Sequence, residues 1–233
     1  MTAPSPRTTR PPSSTPADRR QSRYWNSQYR SDPTFFGSGP SRFLGWVLRA
    51  LGEQGTGSTW VELGAGYGRD LAALERRGYS VRGVDLSRVG AALARQARLD
   101  LVEATALRFL SRLRSESVDV VFSNLFYNQE LTEDDHTQLF SQVDRVLAPH
   151  GYHAYSVRSV ADRWYGKGRR TGPDCFDFAP DGPVLHFFSR PYARRLRRGR
   201  FHLVRSWEGT EGKGKFTISV LYFLERKSAN VPR

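Results

Sequence analysis

The sequence predicts an α/β fold, with a mainly parallel sheet and helices on both of its faces. Three observations carry this. From Thr59 onwards, short apolar stretches alternate with helix-patterned ones, the order that βαβ units produce. One of them, Val118 to Phe122, is dominated by apolar residues, as a strand covered on both faces requires. The chain then closes on two strand-like stretches, Phe201 to Trp207 and Phe216 to Leu224, joined by a Gly-rich loop. That is a hairpin, so the last strand should enter the sheet antiparallel.

Taken in order, residues 1–22 are Pro, Ser, Thr and Arg with almost nothing to bury. They are expected to form a disordered basic tail, because no apolar burial offsets the entropy of ordering them. A single domain is expected from residue 23 to 228. Tyr24, Trp25, Tyr29, Phe35, Phe36, Phe43 and Trp46 crowd its start, and Ser41 suits the cap of a helix running to Leu51. Thr59 to Leu63 reads as the first strand. Arg69 to Arg77 reads as a helix ending at Gly78, a fit C′ residue. Ser80 to Val84 is a strand ending at Asp85, Arg88 to Arg98 an Ala-rich helix, and Leu99 to Glu103 a short third strand. After Val118 to Phe122, Thr132 with Asp135 forms a capping box for a helix to Leu147, and Tyr152 to Val157 is the fifth strand. Residues 158–188 lack periodicity and read as an insertion on the substrate side. Tyr192 and Leu196, four apart, would anchor a helix whose arginines face outward.

A chain of 233 residues with 38% hydrophobic content supports one sizeable core. No apolar run reaches the roughly 18 residues that span a bilayer, and the N-terminus lacks the apolar region of a secretory signal. The single cysteine, Cys175, excludes an internal disulfide and fits a reducing compartment, so a cytoplasmic location is expected. The net charge is +13. Residues 1–23 hold five arginines against Asp18, and residues 190–205 hold seven arginines and no acid. The excess is thus a basic tail and one basic helix, not a protein-wide groove, which weakens a nucleic-acid reading.

The chemistry centres on Val61-Glu62-Leu63-Gly64-Ala65-Gly66-Tyr67-Gly68. A glycine-rich turn between a strand and a helix lets a ligand approach the backbone at the helix N-terminus. Asp85 follows Gly66 by 19 residues, where a carboxylate meets ribose hydroxyls. A dinucleotide fingerprint would place its third glycine at position 69, which is Arg69; here it comes one residue early, at Gly68. Glu62 ahead of the turn suits the ammonium group of an amino-acid cofactor better than a pyrophosphate. The pattern favours S-adenosyl-L-methionine over NAD.

These stretches, with Gly78 to Ser87, Val118 to Asn124, Arg145 to Gly151 and His186 to Ser189, resemble class I S-adenosylmethionine-dependent methyltransferases. The type is the small bacterial one that includes the tellurite-resistance and thiopurine methyltransferases. The resemblance implies a Rossmann-like seven-stranded sheet with an antiparallel last strand. It also implies that Glu62, Gly64, Ala65 and Gly66 shape the methionine end of the cofactor site and that Asp85 and Leu86 lie at the ribose. Thr105 and Ala106 stand where the family usually has Gly-Asp-Ala beside the adenine, so Thr105 replaces the usual carboxylate. Asn124 lies at the methyl donor's approach.

A sulfonium methyl is already activated, so transfer is an in-line displacement, and a base is needed only for a protonated nucleophile. His186, after the insertion, is the first candidate base and Tyr165 a second. His136 is expected to be solvated, His150 to fill a loop, and His153 to pack in the core. Tyr24, Trp25, Tyr29, Phe36 and Trp164 are expected to lid the site and stack on a flat acceptor. No His/Cys/Asp cluster has metal-ligand spacing, and no metal is expected. The expected acceptor is an O, N or S nucleophile of a small molecule, with the protein a monomer or homodimer. The alternative is an RNA methyltransferase using the Arg190–Arg205 helix and the tail. The intact Glu62, glycines and Asp85 speak against a non-catalytic scaffold.

Overall fold

Helix α1 (Pro16–Ser31) opens on a capping box: Thr15 accepts from the Asp18 N–H, and the Asp18 carboxylate accepts from the Thr15 N–H. Residues 16–22 therefore belong to a helix, which corrects the expected extent of the disordered tail. Its composition is polar, and tertiary contacts order it. The Asn26 carbonyl accepts from Ser87 Oγ at 2.8 Å and from the Val89 N–H at 3.0 Å, and Tyr29 is buried. The computed structural model describes residues 15–52, 57–180, 182–212, 214 and 217–228; residues 1–14 of the expected tail lie outside them.

Helix α2 (Arg42–Leu51) is capped by Ser41, whose hydroxyl accepts from the Leu44 N–H. The alternating units follow: β1 (Thr59–Leu63), α3 (Arg69–Glu75), β2 (Ser80–Asp85), α4 (Arg88–Gln96), β3 (Leu101–Glu103), α5 (Ala106–Leu110), β4 (Val118–Asn124), α6 (Glu133–Val146) and β5 (Leu147–Arg158). A small antiparallel sheet of β6 (Arg169–Gly172), β7 (Cys175–Asp177) and β8 (Val184–His186) comes next. Helix α7 (Arg190–Arg197) and the long hairpin β9 (Phe201–Glu211) and β10 (Ile218–Lys227) complete the chain.

The main sheet has seven strands in the order β3-β2-β1-β4-β5-β10-β9. The first five run parallel, and β10 pairs antiparallel with both β5 and β9. One face packs on α2, α3 and α4 through Phe43, Trp60, Leu71, Ala91 and Phe122; the other packs on α5, α6 and α7 through Phe109, Phe140, Tyr155 and Leu196. Strand order reverses between β1 and β4, so a crevice opens beyond their carboxyl ends.

Three features differ from the sequence reading. Helix α5 is only five residues long, too short to show a period. The stretch 158–188 holds a small sheet, whose strands of three or four residues give no alternation to read. His136 is buried rather than solvated. Its Nδ1 lies 2.7 Å from the Tyr192 hydroxyl and its Nε2 2.9 Å from the Tyr127 carbonyl. Burial lowers its pKa to about 3, with His186 alongside adding to the effect. His153 is packed in the core, with Nε2 3.0 Å from the Tyr127 hydroxyl.

Candidate functional site

The site begins at the carboxyl end of β1. Gly64, Gly66 and Gly68 take φ of +71°, +61° and +86°, values that a side chain strains. A Cβ on Gly64 would lie 2.9 Å from Phe126, and one on Gly66 would lie 2.7 Å from the Tyr29 hydroxyl. The turn is thus both left-handed and walled in. Asp85, at the end of β2, holds it: one carboxylate oxygen accepts from the Gly66 N–H at 2.8 Å and the other from the Ser87 N–H at 2.7 Å. Burial raises the Asp85 pKa, against these backbone donors, which lower it.

Glu62 is the electrostatic oddity. It is 3% exposed, and its Oε2 has no hydrogen-bond partner. Burial first, then the nearby Asp70, pushes its pKa well above the usual carboxylate range, although Arg69 opposes this. A buried carboxylate oxygen without a partner is costly, and a bound cation would satisfy it. A small pocket lined by Glu62, Gly64, Ala65, Gly66, Tyr67 and Asn124 adjoins it.

A cavity of about 1880 Å³ extends from the turn across the crevice. Asp85, Leu86, Thr105, Ala106 and Asn124 line it. Thr105 caps α5, its hydroxyl accepting from the Arg108 N–H at 3.2 Å. The Asn124 side-chain carbonyl accepts from Ser156 Oγ at 2.6 Å.

Much of the remaining lining is aromatic. Tyr24, Trp25, Tyr29, Phe36 and Trp164 all line the same cavity. Trp25 stacks on Tyr29 with ring centroids 5.8 Å apart, and its indole N–H donates to the Gln129 side-chain carbonyl at 2.8 Å. Tyr67 fastens the segment after α1, accepting from the Phe36 N–H and donating to the Gly37 carbonyl. The glycine turn and the aromatic residues are therefore joined through Tyr67, and Arg69 adds a second link by donating to the Phe36 carbonyl.

The two candidate bases are not brought there, which corrects the sequence expectation. His186 is buried at 3% exposure, stacked on Tyr192 at 5.2 Å and edge-on to His136 at 4.8 Å. Burial lowers its pKa, and neither it nor any other histidine is among the described residues lining the cavity. Tyr165 sits outside the lining, and its hydroxyl donates to Asp174 at 2.6 Å. Sequence reasoning also missed Arg158, which lines the cavity at the end of β5. The available signal was position, since ligands gather beyond the carboxyl ends of parallel strands.

The basic helix is largely engaged within the protein. Arg190 pairs with Glu208 at 3.0 Å, Arg195 with Glu133 at 3.2 Å, and Arg197 with the buried Glu225 at 2.9 Å. Among the described residues, no helix is long and apolar enough to cross a membrane.

Residues 61–155 match the family model described as a methyltransferase domain. No curated protein matches the chain. Among solved structures, a methyltransferase described as S-adenosylmethionine-dependent from Methanosarcina mazei superposes with a TM-score of 0.67 at 18% identity, covering 78% of this chain and 96% of that one. The 1,6-didemethyltoxoflavin-N1-methyltransferase of Burkholderia thailandensis, solved with 1,6-didemethyltoxoflavin and S-adenosylhomocysteine, gives 0.65 at 21% identity, covering 95% and 94%. The geranyl diphosphate C-methyltransferase of Streptomyces coelicolor gives 0.65 at 16% identity, covering 94% and 100%. At these identities the structures speak to the fold.

Proposed function

We propose that this chain, a class I S-adenosylmethionine-dependent methyltransferase, moves a methyl group to an O, N or S nucleophile of a small, flat molecule held in the aromatic-walled cavity. The observation that carries this is continuity. The small pocket at Glu62 and the glycine turn shares Gly64, Tyr29, Phe36 and Asn124 with the large cavity, where Asp85 meets Tyr24, Trp25 and Trp164.

The residues present fit the cofactor. Glu62 offers a buried carboxyl oxygen without a partner to an ammonium group, which would favour its ionised form, and only glycine fits the left-handed turn against Phe126 and Tyr29. Ala65 stands in the same turn. Asp85 braces the turn through Gly66 and keeps further lone pairs for ribose hydroxyls. Leu86, Thr105 and Ala106 wall the region beyond, where Thr105 would meet the adenine amino group while capping α5. Asn124 is fixed by Ser156 at the junction of the two halves. Bound there, S-adenosylmethionine supplies an electrophilic sulfonium methyl for in-line displacement.

The protein's own work is alignment and exclusion of water. Holding reactants in line is worth on the order of 7–11 kcal/mol of barrier. The aromatic wall supplies flat apolar surface for this. With no histidine among the described lining residues, the reading favours a nucleophile that needs no histidine base. Two of the structural neighbours are named for action on small molecules, a didemethyltoxoflavin and geranyl diphosphate. The intramolecular pairing of Arg190, Arg195 and Arg197 supports a small-molecule acceptor over RNA.

The test is methyl transfer from radiolabelled S-adenosylmethionine to a panel of phenols, heteroaromatic amines and thiols, with total RNA alongside. Labelling of small acceptors is expected. Labelling of RNA alone would overturn the acceptor class.

A further inference from the structure

We propose that Arg158 reads an anionic oxygen on a planar acceptor, with Asp162 as the positioning residue that holds its guanidinium. The proposal rests on the reading above and names the class of acceptor, an aromatic acid.

Strand register puts Arg158 beside the reacting end of the site. Glu62 pairs with Phe122, and Asn124 lies two residues on, on the same face. Asn124 pairs with Ser156, and Arg158 again lies two residues on. Glu62, Asn124 and Arg158 thus project from one face of three neighbouring strands, and Asn124 and Arg158 both line the large cavity.

The guanidinium is built into place. Its Nε and Nη2 donate to the two oxygens of Asp162, each at 3.3 Å, and it lies over the Phe187 ring at 5.5 Å. Asp162 is 4% exposed and is itself fixed by the Trp164 and Ser219 N–H groups, each at 2.8 Å. The Arg158 backbone N–H donates to the buried Asn128 side chain. All of this uses two of the three guanidinium nitrogens; among the described residues, Nη1 has no acceptor. Arg158 is largely buried, with 14% of its side chain exposed. The arginine stays charged.

The surroundings select a flat ligand. Tyr24, from α1, and Trp164, from the stretch after β5, share the cavity with Arg158, and the Tyr24 hydroxyl feels its positive charge. An immobilised arginine with free N–H donors beside aromatic faces suits a carboxylate or other ionised oxygen on a ring. It leaves a neutral ring of the same shape without its strongest contact.

The test titrates the S-adenosylhomocysteine-loaded protein with 2-naphthoate and with 2-naphthamide, read by calorimetry and by quenching of tryptophan fluorescence. The carboxylate should bind about tenfold tighter than the amide, as one charge-assisted contact provides. Arg158→Gln should erase that ratio while S-adenosylhomocysteine affinity stays within about twofold. Asp162→Asn should reduce the ratio, whereas a merely structural Asp162 would weaken both probes alike. Equal affinities in the unaltered protein, which need no variant to fold, would overturn the proposal, as would a ratio that survives Arg158→Gln. Failure of S-adenosylhomocysteine to bind would overturn the methyltransferase reading itself and this proposal with it; binding of it with no preference between the probes would overturn the proposal alone.

Discussion

The two walls of the crevice are made differently. The glycine-turn wall is backbone: left-handed glycines, N–H groups held by Asp85, and one buried carboxylate, all within Glu62 to Ser87. The second wall is side chain: aromatic rings from α1, from the segment after it and from the stretch following β5, together with Arg158. A backbone wall admits one ligand shape and tolerates few substitutions. A side-chain wall can change its ligand by exchanging rings. On the function proposed above, the cofactor lies against the first wall and the acceptor against the second, and variants on each wall test that division.

The largest effect is expected at Gly66. An alanine there keeps φ near +61° only under strain, and its Cβ would sit 2.7 Å from the Tyr29 hydroxyl. Gly66→Ala should weaken S-adenosylhomocysteine binding by about tenfold or more, equivalent to at least ~1.4 kcal/mol. Adding Tyr29→Phe should recover part of that loss, because it removes the clashing oxygen. Calorimetry on the single and double variants reads both, and an unchanged affinity in Gly66→Ala would break the division at once.

Acid should act on the fold rather than on the division. His136 is held neutral, with a pKa of about 3 against an ordinary 6.5, so its contribution is intact above pH 6.5 and fades as pH falls towards 3. On the order of 2 kcal/mol should be gone by pH 5. His153 and His186, also lowered by burial, act in the same direction. Urea midpoints at pH 7.5 and pH 5 measure the loss, and His136→Gln should flatten it. A midpoint that does not move would show that His136 is not buried neutral.

On the acceptor wall, Trp25→Ala removes a ring stacked on Tyr29. It should raise the acceptor KM roughly tenfold, about 1.4 kcal/mol, with S-adenosylhomocysteine affinity changed less than about threefold. Equal losses in both would mean that the walls are not separable. The smallest effect is expected at Arg195, whose pair with Glu133 is exposed on both sides. Arg195→Ala should cost less than about 1 kcal/mol of stability and leave methyl transfer to a small acceptor unchanged. A lost activity there would favour a role for the basic helix in substrate binding.

The same contrast explains what could be read in advance. The β1–α3–β2 region was legible because its requirements are local. Gly64, Gly66 and Gly68 answer left-handed backbone, and Asp85 sits one βαβ unit away at a fixed spacing. Alternation and the closing hairpin announced a mainly parallel sheet with an antiparallel last strand. The acceptor wall was legible only in part. Crowded aromatics near Tyr24 suggested a lid, but the helix that Thr15 and Asp18 cap was missed, because the composition of residues 1–22 reads as a disordered tail. His186 was misjudged because a histidine near an insertion carries no sign of which side it faces; packing against His136 and Tyr192 turns it inwards. Arg158 was overlooked because its role depends on Asp162, Ser219 and Phe187, contacts that only the folded chain assembles.

On the proposed function, the wall from Glu62 to Asp85 holds a methyl donor through a buried carboxyl group with one oxygen left without a partner. The most direct measurement is a calorimetric titration of the full chain with S-adenosylmethionine and, separately, with NAD, repeated on Glu62→Gln. The account predicts saturable binding of S-adenosylmethionine, none of comparable strength for NAD, and about a tenfold or greater loss in Glu62→Gln. No heat with S-adenosylmethionine, tighter binding of NAD, or an unchanged affinity in Glu62→Gln would contradict it.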